Sequence, residues 1–174
     1  ALLEQVGHTL ALAVWGNHGP TIVHWQESPL SSPVNLRLGD VMPLLTSATG
    51  RCFAAHLSDG PGLERTGPMI QDELRRLQAI AHAQSRADVP TTMAQVQALF
   101  AEVRQRGMAR VVDTLLPGVV GFCAPVFDSD RRMVMGVVAL GSAATFDAEW
   151  GGTVEAPLRA MARQLSADLG YTAP

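Results

Sequence analysis

Val119-Val120-Gly121-Phe122-Cys123-Ala124-Pro125-Val126-Phe127, Asp128-Ser129-Asp130-Arg131 and Arg132-Met133-Val134-Met135-Gly136-Val137-Val138-Ala139-Leu140-Gly141 follow one another without a break. Two β-rich apolar runs flank a short polar link, so the segment reads as a β-hairpin. Neither run alternates polar with apolar. A strand apolar on both sides needs both of its faces covered, which places this hairpin mid-sheet and not at an edge. Helices can cover one face, and whatever covers the other bears on function.

Working outward, Ala109 to Leu115 reads as a strand on the N-terminal side of the hairpin. Before it, Met93, Val96, Leu99, Phe100 and Val103 recur at helical spacing; this helix starts at Thr91 or Thr92 and stops at Gly107, a natural left-handed cap. Met69, Ile70, Leu74, Leu77 and Ala81 form another apolar stripe with Arg75 and Arg76 on its wet side. Ser58 to Pro68 holds three Gly and two Pro and is expected to be loop. In Pro43 to Leu57, the hydroxyls of Thr46, Ser47 and Thr49 are suited to capping a helix that carries Cys52, Phe53, Ala55 and His56. Val34 to Leu38 alternates as a half-buried strand does. Thr9 to Trp15 and Thr21 to Gln26 make a hairpin about Gly16-Asn17-His18-Gly19-Pro20. Ala1 to Gly7 reads as the tail of a helix or linker. After the late hairpin, Val154, Leu158, Met161, Leu165 and Leu169 mark a closing helix, with Pro157 tolerable only near its start. The sum is about six strands in hairpins with helices between and after them: an α+β fold, one domain over residues 1–174, with an antiparallel sheet.

The 174 residues carry 13 basic and 16 acidic side chains, a formal charge of −3, and 47% hydrophobic residues. That composition excludes a disordered chain, and the missing basic excess speaks against a nucleic-acid-binding domain. All the basic residues are Arg, which fits genomic composition bias. Two cysteines cannot build a secreted disulfide framework, and reduced thiols in a cytoplasmic protein are the simpler reading. The longest apolar run, Met133 to Leu140, is far short of a membrane span. The chain opens at Ala1 in an apolar stretch without an initiator Met and is expected to be a piece of a longer protein.

Catalysis finds no support. Ser47, His56 and Asp59 lack a nucleophile elbow or triad spacing, and no Walker loop or dinucleotide fingerprint is present. His18, His24, His56, Cys52 and Cys123 show none of the paired spacings of a zinc site, so neither metal nor cofactor is expected. Cys52 and Cys123 read as small buried hydrophobes, with a cavity-lining role open. Thr46 to Arg51 (TSATGR) crowds small residues at a helix entry, where free backbone amides at the positive end can hold a carboxylate or carbonyl. The alternative is an ordinary capped helix in which Gly50 permits close packing.

Taken in order, the opening hairpin His8–Gln26, Gly39–Ala55 (GDVMPLLTSATGRCFAA), Leu99–Ala109 (LFAEVRQRGMA), Gly121–Asp128 (GFCAPVFD), Met133–Ser142 (MVMGVVALGS) and the closing helix ending in Leu169-Gly170 resemble the C-terminal effector-binding domain of IclR-family bacterial transcription regulators. The resemblance covers essentially the whole length and implies a GAF-like fold that binds a small-molecule effector beside the sheet. It also implies a winged helix-turn-helix domain absent from this chain, through which alone DNA would be bound, and assembly as a homodimer or homotetramer, with no membrane. It further implies an effector head held by the amides of Ala48 and Thr49. The implied walls are Val34, Leu36, Val111, Asp113, Gly121, Phe122, Val138 and Leu140. Apolar walls suit an aromatic or hydrophobic carboxylic acid better than a small polar one, because unpaired polar groups would lose hydrogen bonds there. Gly121 would enlarge the cavity. Control of DNA binding would be allosteric. Two other readings stay open: a GAF-like redox or metal sensor using Cys52 and Cys123, and a purely oligomerising module with a filled interior.

Overall fold

The computed structural model describes residues 2–29, 35–58, 62–80 and 86–173. Among them, β1 (Thr9–Gly16), β2 (Gly19–Gln26), β3 (Ala109–Val112), β4 (Val119–Phe127) and β5 (Met133–Ser142) form one antiparallel sheet in the order β2-β1-β5-β4-β3. The helices are α1 (Leu2–Val6), α2 (Ala48–Leu57), α3 (Leu63–Ala79), α4 (Met93–Arg106) and α5 (Glu155–Asp168). The fold is α+β, as the strand and helix pattern requires.

The late hairpin is where its apolarity puts it. β4 and β5 are interior strands, and Val119 to Val126 are all buried. Both faces of the sheet are covered by helices. On one side Ala11, Ala13, Val111, Cys123, Val138 and Leu140 meet Cys52, Phe53 and Ala55 of α2 and Val96, Phe100 and Val103 of α4. On the other, Leu10, Phe122, Ala124, Val137 and Ala139 pack with Phe146, Val154 and Leu158 and Ala162 of α5. The second face is therefore closed by α5 and the segment leading into it, a packing reason for the absent alternation.

Four local readings differ from expectation. Among the described residues the sheet has five strands, not about six. Val34 lies outside the described residues, Asn35 to Arg37 are irregular, and Leu38-Gly39 turn, Gly39 at φ 89°. The Asp40 carboxylate accepts from the Arg37 amide at 2.8 Å, a local bond that competes with extended pairing. What remains beside β2 is a single bridge, Thr21 to Val41. β3 ends at Val112, short of Leu115, because Asp113 turns left-handed at φ 57°. Within Ser58–Pro68, expected as loop, α3 begins at Leu63 and contains Pro68; burial of Thr66, Ile70 and Leu74 outweighs the one missing amide. Asp59 and Ala81 lie outside the described residues. In α5 the buried stripe is Glu155, Leu158, Ala162 and Ser166, so Leu169 stays exposed.

Other signals translate directly. Thr92 and Gln95 form a reciprocal capping box at the start of α4, and Gly107 closes it at φ 72°.

Candidate functional site

Residues directly opposite one another in antiparallel strands share a face. Thr9 pairs with Leu140, Leu140 with Gly121, and Gly121 with Val111, giving one rung across four strands on the α2 side. Val138 sits one step along, opposite Ala11 and Cys123. The start of α2 lies over this rung: a Cβ on Gly121 would stand 3.7 Å from the Ala48 Cβ. Ala48, Thr49, Val111, Gly121, Val138 and Leu140 are thus brought together. Buried Thr9 joins them, a hydroxyl the sequence reading missed. Its signal was available in the odd-numbered register of β1.

The helix entry itself is tightly determined. Ser47 caps α2, its hydroxyl accepting from the Gly50 amide at 2.8 Å and donating to the Pro43 carbonyl at 2.7 Å. Gly50 has no room for a side chain, since a Cβ would fall 1.8 Å from the Pro43 oxygen. Among the described residues no acceptor meets the Ala48 or Thr49 amide. The Leu45 carbonyl, the natural partner of Thr49, lies instead 2.7 Å from Arg51 Nε. Glu73 holds the preceding turn, accepting from Leu44 and Leu45 amides at 2.7 and 2.8 Å. Burial pushes that carboxyl above its usual pKa, against the pull of those two amides.

Two implied wall residues, Phe122 and Asp113, stand apart from this group. Phe122 faces the opposite side, against Phe146 and Trp150; with a side-chain period of two, it cannot share a wall with Gly121. Asp113 is exposed, and its carboxylate accepts from the Gly118 amide at 2.6 Å, a turn-holding role. Leu36 packs half-buried against the α2-side core without being in a strand. Val34 lies outside the described residues. The space expected over Gly121 is taken by Leu140, whose Cδ2 would be 2.7 Å from an added Cβ.

An open groove of about 450 Å³ lies next to the rung, along the edge strand β3. Leu99, Glu102, Val103 and Arg106 of α4 form one wall, and Arg110, Val111, Val112 and Trp150 another. Val111 is the residue it shares with the rung. Arg51 also lines it, 4% exposed, its Nη2 donating to the Asp88 carbonyl at 2.6 Å. Burial lowers the Arg51 pKa to about 10, against the nearby charges of Asp88, Glu102 and Glu73, so it stays cationic at neutral pH.

The thiols give no reactive centre. Cys52 and Cys123 are both fully buried. Burial, reinforced by the adjacent Cys123 thiol, pushes Cys52 well above the ordinary thiol pKa, the reverse of an activated nucleophile. Among the described residues no three His, Cys, Asp or Glu side chains cluster to hold a metal, and no helix is long and apolar enough to cross a membrane.

A family model described as the bacterial transcriptional regulator IclR C-terminal domain matches residues 1–167. The crystal structure of Pseudomonas aeruginosa HmgR is 32% identical with a TM-score of 0.82, over 99% of this chain and 64% of that one. Thermotoga maritima IclR, 21% identical at a TM-score of 0.75, shares the fold over 98% of this chain and 64% of its own. The glycerol operon regulatory protein of Streptomyces coelicolor is 27% identical over 172 residues, 97% of this chain and 62% of that protein. The chain therefore spans less than two thirds of each of these relatives. It belongs to the IclR family of bacterial transcriptional regulators, as the C-terminal effector-binding domain, a regulatory and not an enzymatic module.

Proposed function

We propose that this domain senses a small organic carboxylic acid, aromatic or otherwise hydrophobic, at the rung beneath the start of α2. The single observation that carries this reading is the pair of amides, Ala48 and Thr49, which meet no acceptor among the described residues and stand at the positive end of α2 directly over Gly121. A carboxylate there accepts from both amides, while the apolar body lies on Val111, Val138 and Leu140, with Leu36 at the margin. Leu140 swings off Gly121 to admit it; a side-chain end moves at far lower cost than backbone.

Mechanism in this reading is population shift. The effector binds one arrangement of a homodimer or homotetramer better than another, and so biases an N-terminal winged helix-turn-helix domain on DNA. Its leverage equals its differential affinity, typically about 1–3 kcal/mol. Calorimetric titration with aromatic and aliphatic acids tests the site: heat with at least one acid is expected, and Gly121→Val removes the part of it that arises at the rung. Silence across the whole panel refutes it.

A second reading, an oligomerising module with a filled interior, is favoured by the Leu140 side chain over Gly121. In that case Gly121→Val alters stability and no acid binds at the rung.

A further inference from the structure

We propose that the groove between α4 and β3 is a second binding site, for a small organic anion with an apolar body, its charge met by Arg51. The rung beneath α2 is not needed for this site; Val111 and helix α2 are all they share.

Three observations point the same way. Arg51 is a buried guanidinium whose partners are the carbonyls of Leu45 and Asp88. Among the described residues no carboxylate comes within ion-pair distance of it. Asp88, Glu102 and Glu73 act on this buried cation only from beyond contact distance, and an entering carboxylate adds a direct, charge-assisted, fork-shaped contact. The two acids lining the groove are otherwise engaged: Glu102 pairs with Arg106 at 3.2 Å, and Asp88 accepts from the Thr114 hydroxyl at 2.5 Å and meets Arg86 at 3.4 Å.

At the far wall, Arg106 and Arg110 stand over the Trp150 ring at 4.6 and 4.9 Å. Arg110 donates to the Ala148 carbonyl and, among the described residues, meets no carboxylate. The Trp150 Nε1 is buried with no acceptor, the one such side-chain atom among the described residues. An unmet buried indole N–H is costly, so this wall gains from any rearrangement that brings an acceptor to it. Between the two ends lie Leu99, Val103, Val111 and Met108, which fit a hydrocarbon body. Cationic ends and an apolar floor select an organic carboxylate over an inorganic ion or a neutral hydrocarbon.

Benzoate is the probe. Trp15, Trp25 and Trp150 give three indole N–H resonances, and Trp150→Phe assigns the third. Titrating the domain to millimolar benzoate is expected to shift the Trp150 resonance saturably. Arg51→Met is expected to weaken that binding at least tenfold. Should Arg51→Met fail to fold, Arg110→Gln takes its place and is expected to weaken binding several-fold. An unmoved Trp150 resonance overturns the proposal. So does a shift that survives Arg51→Met but vanishes in Leu140→Phe, which would put benzoate on the rung instead. Failure of the rung reading shows separately, as undiminished Trp150 shifts in Leu140→Phe with no heat of rung binding.

Discussion

Replacing Gly50 by Ala sets two physical terms against each other with opposite sign. In a helix interior, Ala is favoured over Gly by up to about 1 kcal/mol. Here the added Cβ would meet the Pro43 oxygen at 1.8 Å and the Leu44 Cα at 2.6 Å, both backbone atoms. Reaching even 3.0 Å from that oxygen requires a displacement of 1.2 Å (3.0 − 1.8) between the helix start and the Pro43 turn. A shift of that size breaks the Ser47 cap, worth about 1 kcal/mol, and strains the Arg51 bond to Leu45. Overpacking adds roughly 1–3 kcal/mol. After the propensity gain, a net loss of about 1–3 kcal/mol remains. For a domain of this size that lowers Tm by roughly 2–12 °C. Urea unfolding followed by circular dichroism measures it. Gly50→Ala at least as stable as the parent would refute the close-approach argument, and with it the placement of the α2 entry over the rung.

Leu140→Ala should destabilise by about 2–5 kcal/mol, the range for emptying a buried leucine site, while leaving room over Gly121; denaturant curves and calorimetry with the same acids read both effects. Both cysteines should react with a thiol reagent only as fast as the domain unfolds, and rapid stoichiometric labelling of the native protein would revive a thiol sensor. Burial, assisted by Arg104, holds His56 below its ordinary pKa of 6.5, against its bond to the Cys52 carbonyl. The folded chain thus takes up its proton less readily than the unfolded chain. Stability should be full above pH 6.5 and fall as pH drops through that value toward the lower folded pKa, His8 contributing in the same direction. Urea midpoints across that window should vary less steeply in His56→Gln.

Much of this domain was legible in its residues. Period and punctuation are local properties, so the late hairpin, the Thr92 to Gly107 helix and the Ser47 cap could be read directly. The α+β class follows from them. Period two also separates Gly121 from Phe122, though the implied wall named both. Other outcomes depended on neighbours distant in sequence. Pro68 sits in a helix because Ile70 and Leu74 found a core to bury in. Val34 to Leu38 was expected as a sixth strand, yet Leu36 and Arg37 are irregular, because the local Asp40 bond and a left-handed Gly39 won over alternation. The apolar second face of β4 and β5 left open what covered it; α5 and Phe146 do. Likewise, no local signal could show that Arg51 lines a groove, or that Leu140 rests on Gly121. Which atoms fill a space is set by three-dimensional packing, and side chains far apart along the chain compete for that space only once the sheet and helices have closed around it.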